Sequence, residues 1–162
     1  MSEPAGDTPA FPPESIEAFL RFCAGEWMSL RSRFAPTTSL EGEAGDEWHR
    51  SERGELVVTY LEPEQAGAPG GLSVGPKGEP ARKLQFSADG QVQAGDQTGR
   101  WTLWPDGSLE LVLQLGADEL RERIWFNKPN LRLRSTVEQR ADGGLGRASF
   151  SSEIRRVSRP AA

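Results

Sequence analysis

The spacing of apolar residues changes from a helical to a strand-like pattern early in the chain. Near the start, apolar residues recur at positions i, i+3, i+4 and i+7: Ile16, Phe19, Leu20 and Cys23. This spacing predicts a short one-sided helix, which Gly25 is well placed to end. Residues 55–61 are rich in β-branched side chains, and leucines occupy every second position in 109–115. Both patterns predict strands.

Further strands are predicted between turn signals along the rest of the chain, at 28–34, 82–87, 100–104, 122–126, 131–138 and 148–157. Residues 62–80 contain four Pro and five Gly, which predicts a long loop or a ragged hairpin. One helix followed by about seven to ten antiparallel strands indicates a sandwich or an up-and-down barrel. A barrel has no exposed edges and can hold one small ligand in its mouth.

Bulk properties narrow the class of protein. The 162 residues suit one domain, and we expect it to cover 14–158 after a disordered leader at 1–13, which is rich in Pro and Ala. The net charge of −5 argues against general nucleic-acid binding. A single Cys and a single His exclude a disulfide framework and the usual zinc sites. With no secretory signal and no membrane-spanning apolar stretch, a cytoplasmic location is expected.

The predicted strand at 131–138 has an unusual alternation. Leu131 and Leu133 would line one face, and Arg132 and Arg134 would line the other. Strand parity alone does not say which of these faces points into the protein. The two arginines therefore face either a cavity or water.

Three blocks of sequence, in the same order, resemble a known family. Residues 22–31 (FCAGEWMSLR) are similar to the opening motif of the S-type phycobiliprotein lyases, the CpcS/CpeS family. Residues 122–126 (ERIWF) with 129–134 (PNLRLR) resemble its most distinctive block, and 148–156 (ASFSSEIRR) resemble its closing strand. Cys23 stands where the family usually has Ser. The Gly-x-Trp at 25–27 also resembles the entry to the first strand of lipocalin-type barrels.

The resemblance implies a fold and an activity. The fold is a mostly β, lipocalin-like (fatty-acid-binding-protein-like) antiparallel barrel with an N-terminal α-helix. The implied activity is a lyase that binds a bilin, phycocyanobilin or phycoerythrobilin, without a covalent bond. It joins the bilin by a thioether to a cysteine of an apo-phycobiliprotein subunit. The resemblance implies no prosthetic group, metal, nucleic acid or membrane, and allows a homodimer or a related lyase subunit as partner.

The resemblance also implies site residues. The implied catalytic residues are Glu122, Glu153 and Arg132, and the implied bilin contacts are Arg31, Arg134, Arg155, Trp125 and Trp101. A bilin carries two propionates, and arginine offers them charge-assisted hydrogen bonds of about 1.5–3 kcal/mol each. Arg132 is expected to be the main propionate or lactam anchor. Either glutamate could hold the pyrrole N–H groups and donate a proton. Holding the bilin close to the acceptor thiol would also accelerate the reaction.

Structural interpretations compete with each of these roles. Glu122 and Glu153 could simply form cross-strand pairs with arginine, each contributing about 0.2–1 kcal/mol. Arg155 or Arg156 could instead pack on Trp27 as a cation–π lid. Trp101 and Trp125 could be barrel packing. Cys23 could carry the bilin transiently, but its place on the apolar stripe of the helix favours a buried core thiol. At the level of function, a non-catalytic bilin chaperone and a fatty-acid-type carrier remain as alternatives.

Overall fold

The computed structural model describes residues 10–35, 49–144 and 146–157, which form one helix and ten strands. The elements are α1 (Ile16–Cys23), β1 (Gly25–Phe34), β2 (His49–Leu61), β3 (Gly70–Pro76), β4 (Arg82–Phe86), β5 (Gln91–Ala94), β6 (Gln97–Leu103), β7 (Leu109–Leu115), β8 (Asp118–Lys128), β9 (Leu131–Gln139) and β10 (Ala148–Arg155). Among these residues, no helix is long and apolar enough to cross a membrane.

The ten strands form a closed antiparallel barrel. Around the wall they follow the order β1-β10-β9-β8-β7-β6-β5-β4-β3-β2, and β2 pairs with β1 to close it. Each neighbouring pair is antiparallel, so the barrel leaves no long unpaired edge. The predicted fold class, an antiparallel barrel with an N-terminal helix, is confirmed, and the sandwich alternative is excluded.

The helix forms where the apolar spacing predicts it. Ser15 caps its first turn by accepting a hydrogen bond from the backbone N–H of Ala18 at 3.1 Å. The residues Phe19, Leu20 and Cys23 on its apolar side are fully buried. The helix therefore lies with its apolar stripe on the barrel, as a short one-sided helix must.

The segment 62–80 contains the strand β3, the loop that joins it to β2 and the turn that joins it to β4. Its glycines are needed for close strand pairing: a Cβ on Gly71 would lie 2.2 Å from the backbone oxygen of Leu84. The high Pro and Gly content thus concealed a strand, because here glycine permits a tight approach between β3 and β4. Of the two predicted forms, a long loop or a ragged hairpin, the structure has the hairpin.

The inner surface of the barrel has two unlike halves. The inward side chains of β3–β7, here called the apolar half, are buried and apolar: Leu72, Leu84, Phe86, Val92, Ala94, Leu109, Leu111 and Leu113. In the charged half, formed by β8–β10 and β1, strand register directs polar side chains inward: Arg31, Glu122, Arg132, Arg134, Ser149, Ser151 and Glu153. A ligand with charged groups could therefore be bound only along one side of the interior.

One end of the barrel is closed by α1. Trp27 at the start of β1 is 1% exposed, and its indole Nε1 donates to the backbone oxygen of Cys23 at 2.9 Å. The ring of Phe126 packs against Phe19 and Phe22, with centroids 5.2 and 4.8 Å away. Such contacts are typical of tilted and edge-on aromatic packing. This end is therefore solid, and a ligand must enter from the other end.

The predicted disordered leader at 1–13 lies mostly outside the described residues, which begin at 10. Pro13 is buried, and the ring of Phe11 lies 5.8 Å from that of Phe22 on α1. The last residues of the predicted leader thus pack beside the closed end.

Candidate functional site

The charged half of the interior brings together residues that are distant in sequence. Arg132 on β9 pairs in register with Glu153 on β10, and Glu122 on β8 pairs with Thr136 on β9. The alternation of β9 places Arg132 and Arg134 inside and the neighbouring leucines outside. The sequence alone did not decide which face of this strand points into the protein. The structure places both arginines on the inward face.

At the deep end of this half, Arg132 and Glu153 form a buried ion pair. The Arg132 Nε lies 2.9 Å from the Glu153 Oε1, with side-chain exposures of 3% and 0%. The Arg132 guanidinium also stacks on the Trp27 ring at 4.9 Å. Burial opposes the charge, but neighbouring Cys23 and Glu153 raise the pKa of Arg132 above its usual value. Arg132 is therefore fixed as a cation beside Glu153.

Glu153 also connects this buried pair to Arg134. Its second oxygen lies 3.4 Å from the Arg134 Nη2, so both carboxylate oxygens have guanidinium partners. Arg134 lies one step closer to the open end and is 17% exposed. Glu153 thereby holds Arg134 in position, and its carboxylate is fully buried.

Cys23 lies beside this pair but is not poised for chemistry. It is fully buried, and burial raises the pKa of its thiol, which Arg132 only partly offsets. A thiol with a raised pKa stays protonated near neutral pH and is a weak nucleophile. The structure therefore agrees with a core thiol rather than a transient bilin carrier.

Glu122 occupies a more accessible position than Glu153. Its carboxylate accepts a hydrogen bond from the Thr136 hydroxyl at 3.1 Å and lies 3.9 Å from the Arg134 Nη1. The Glu122 side chain is 19% exposed. It thus retains hydrogen-bonding capacity on the open side of the cluster.

Arg31 on β1 is the least satisfied cation of this cluster. Its Nη2 donates to the Ser149 hydroxyl at 3.1 Å, while its Nε is buried with no hydrogen-bond partner among the described residues. Burial lowers the pKa of Arg31, and the like charges of Arg33 and Arg134 lower it further. A carboxylate bound beside this guanidinium would relieve the repulsion.

The cluster leads to an opening of about 410 Å³ at the end opposite α1. The charged residues lining it are Arg31, Arg33, Arg50, Arg147, Glu52 and Glu138. The volume falls within the ~300–1,000 Å³ of small-molecule pockets. With four arginines against two glutamates, this mouth favours an anionic ligand.

Three predicted bilin contacts lie apart from the cluster. Arg155 stacks on Trp27 at 4.4 Å and donates to the backbone oxygens of Phe22, Ala24 and Pro129, which is the lid arrangement considered as its alternative. Trp125 lies on the outer surface beside Phe150, with ring centroids 6.2 Å apart. Trp101 packs with the apolar half, and its indole donates to the Ser87 backbone oxygen at 2.8 Å.

Some site residues were not singled out from the sequence. Thr136 follows Arg134 at the next inward position of β9, and Ser149 precedes Glu153 on the inward side of β10. Strand parity could have found both once the arginines were known to face inward. The mouth residues Arg33, Arg50 and Arg147 had no sequence signal that separated them from surface charges.

Comparisons with known proteins add an independent observation. The family model for CpeS-like protein matches residues 84–156, a range that contains Glu122, Arg132, Arg134 and Glu153. A protein named Chromophore lyase CpcS/CpeS 1 from Paulinella chromatophora is 46% identical over 154 residues, covering 94% of each chain. Chromophore lyase CpcS/CpeS from Thermosynechococcus vestitus is 41% identical over 66 residues, which cover 41% of this chain and 36% of the relative.

A solved structure shares the fold. The S-type phycobiliprotein lyase CPES from Guillardia theta aligns with a TM-score of 0.66 at 20% identity, covering 90% of this chain and 95% of that one. At this identity the likeness supports the barrel architecture alone.

Proposed function

Because this chain belongs to the CpcS/CpeS family of chromophore lyases, we propose that it binds a bilin non-covalently in the barrel mouth and attaches it to a phycobiliprotein. The bond formed is a thioether to a cysteine of the apo-subunit. The substrate is a linear tetrapyrrole of the phycocyanobilin or phycoerythrobilin type, and no prosthetic group is required. The observation that carries this proposal is the under-satisfied Arg31 at the mouth, with Arg134 and Glu122 as its charged neighbours.

The two accessible arginines are proposed to bind the propionates. Arg31 lines the mouth and has an unpaired buried Nε, and Arg134 is held between Glu153 and Glu122 and is 17% exposed. Each charge-assisted hydrogen bond to a propionate contributes about 1.5–3 kcal/mol. Arg31 and Arg134 therefore replace Arg132 as the proposed main anchors, because Arg132 is committed to Glu153 and Trp27.

The two glutamates are proposed to have different roles. A general acid must come within hydrogen-bonding reach of its substrate, and Glu153 could do so only by breaking its ion pairs with Arg132 and Arg134. Glu122 is partly exposed and has one short hydrogen bond, from Thr136. We therefore assign the contact with the pyrrole N–H groups and the proton donation to Glu122, and a positioning role to Glu153.

The chemical step is an addition across a carbon–carbon double bond. The sulfur of the acceptor cysteine bonds to the exocyclic ethylidene carbon of ring A, and the electron pair of that double bond takes up a proton at the adjacent ring carbon. No oxidant or reductant is needed. By favouring the protonated bilin, Glu122 makes the ethylidene more electrophilic, and the barrel holds the pigment in register with the thiol.

This assignment is tested by reconstitution. Purified protein is mixed with bilin and an apo-phycobiliprotein subunit, and the rate of formation of the covalent fluorescent adduct is compared with the spontaneous reaction. We expect Glu122→Gln to lower the accelerated rate by about 10²-fold or more. The matched control is Glu110→Gln on the outer side of β7, whose carboxylate is 14% exposed and also lies 3.9 Å from an arginine, Arg121.

The outcomes separate the candidate functions. A Glu122→Gln variant with full activity contradicts the assignment of the acid. A red-shifted bilin absorption without faster adduct formation indicates a chaperone, and binding without the red shift indicates a fatty-acid-type carrier.

A further inference from the structure

Glu122 lies on the boundary between the two halves of the barrel interior. Its cross-strand neighbours are the buried, apolar Leu111 on β7 and Thr136 on β9. The inward positions before and after it on β8 hold Leu120 and Ile124, whose side chains offer a carboxylate no hydrogen bond. The hydrogen-bond and ion-pair partners that the structure describes for Glu122 therefore both lie on β9.

Both of these partners approach the same oxygen of the carboxylate. The Thr136 hydroxyl donates to the Glu122 Oε2 at 3.1 Å, and the Arg134 Nη1 lies 3.9 Å from that oxygen. Among the described residues, none forms a hydrogen bond or an ion pair with the Glu122 Oε1. A hydroxyl that donates to Oε2 favours a proton on the other oxygen when the carboxyl group is protonated, since Oε2 then remains the acceptor. Oε1 is thus the oxygen that can donate to a ligand.

We propose that Thr136 is a positioning residue, which holds Glu122 by its Oε2 so that Oε1 is the oxygen that meets the bilin nitrogens. This inference rests on the proposed role of Glu122 as the proton donor. Thr136 lines the mouth, so its hydroxyl fixes the carboxylate close to where the pigment is proposed to bind. Threonine suits this role because its branched side chain is stiff at χ1.

Loss of the Thr136 hydroxyl would leave Glu122 with a different orientation. The remaining contact is the Arg134 Nη1 at 3.9 Å, and no second donor would then hold the carboxylate away from it. Arg134 already lies 3.4 Å from the Glu153 Oε2. A Glu122 carboxylate that closed on Arg134 would join this paired cluster and turn away from the bilin.

The test measures adduct formation in the reconstitution assay. We expect Thr136→Val to lower the rate at saturating bilin by about 10-fold, the effect of one hydrogen bond to a charged group. The dissociation constant for bilin should change by less than about threefold, because Arg31 and Arg134 are retained. Thr136→Ser keeps a hydroxyl and should restore most of the rate. Urea midpoints, measured in parallel, show that the variants are folded.

The matched control is Thr102→Val. Thr102 on β6 is the direct cross-strand neighbour of Glu110 on β7, as Thr136 is of Glu122, but this pair lies on the outer side of the barrel. Its substitution should leave both the rate and the bilin affinity unchanged. The comparison therefore separates the loss of a threonine hydroxyl at the mouth from the same loss elsewhere on the wall.

A double-mutant cycle separates this role from a purely structural one. If Thr136 acts through Glu122, Thr136→Val should lower the rate by less than about twofold in the Glu122→Gln background. An undiminished loss in that background, full activity of Thr136→Val alone, or a Thr136→Ser variant no more active than Thr136→Val would each overturn the proposal. These results leave the proposed function standing, whereas a fully active Glu122→Gln variant contradicts the assignment of the acid and this inference together.

Discussion

The apolar and charged halves of the barrel use the same strand alternation for opposite purposes. In β7 of the apolar half, Leu109, Leu111 and Leu113 face inward and Gln114 faces water. In β9 of the charged half, Arg132 faces inward and Leu131 outward. Alternation thus defines two faces of a strand, and only the neighbouring strands determine which face is the interior. One half supplies hydrophobic stabilisation, and the other holds the charged residues of the candidate site.

The two halves also differ in how they contribute to the free energy of folding. Burial of the leucines in the apolar half contributes about 25 cal/mol per Å² of apolar surface removed from water. Buried charges in the other half are tolerated only because Arg132, Glu153 and Arg134 are mutually paired. Arg31 is the least satisfied cation of the charged half. It lines the mouth, where a ligand can reach its side chain.

The largest loss of stability is expected when the charge of Glu153 is removed. Glu153→Gln leaves the buried Arg132 without a counter-ion, and we expect the free energy of unfolding to fall by about 3–5 kcal/mol. Urea denaturation measures this loss. The control Glu55→Gln removes an exposed carboxylate that pairs with Lys77 and Arg156, and should cost less than about 1 kcal/mol. Equal losses in the two variants would show that the deep pair is not structural.

A cavity in the apolar half should destabilise the protein without altering the site. Leu109→Ala removes a fully buried side chain, and we expect a loss of about 2–5 kcal/mol in the free energy of unfolding. At a temperature where the variant is folded, its bilin red shift should match the wild type. Val112→Ala, on the outward side of the same strand, should cost less than about 1 kcal/mol. A changed red shift in Leu109→Ala would show that the two halves are not separable.

The smallest effect on stability should have the opposite sign. Arg31→Met removes a cation repelled by Arg33 and Arg134, and we expect a gain of about 0.2–1 kcal/mol, since water still screens part of this charge. Bilin affinity should fall about 10- to 100-fold with the lost propionate contact. Arg33→Met is the control, because the Arg33 guanidinium is already paired with Glu52 at 3.2 Å. A less stable Arg31→Met variant would contradict this account of the site.

Sequence patterns predicted the elements better than the division of roles among them. The strand at 109–115 was predicted with its observed bounds, since every second residue is leucine and turns flank it. The strand β3 was concealed because Gly71 serves a close backbone approach that only the folded sheet reveals. Glu122 and Glu153 looked equivalent in sequence. Their difference in burial depends on cross-strand register and on the Trp27 plug, which no local pattern encodes.

The contacts of Arg155 have a consequence for the timing of turnover. This one guanidinium ties the end of α1 to β10 and to the turn before β9, through the backbone oxygens of Phe22, Ala24 and Pro129. These hydrogen bonds hold α1 on the closed end of the barrel, so that end offers no second entrance for a ligand. Under the proposed function, the bilin and the acceptor cysteine both use the opening at the opposite end, so the bilin has to bind before the acceptor covers that opening.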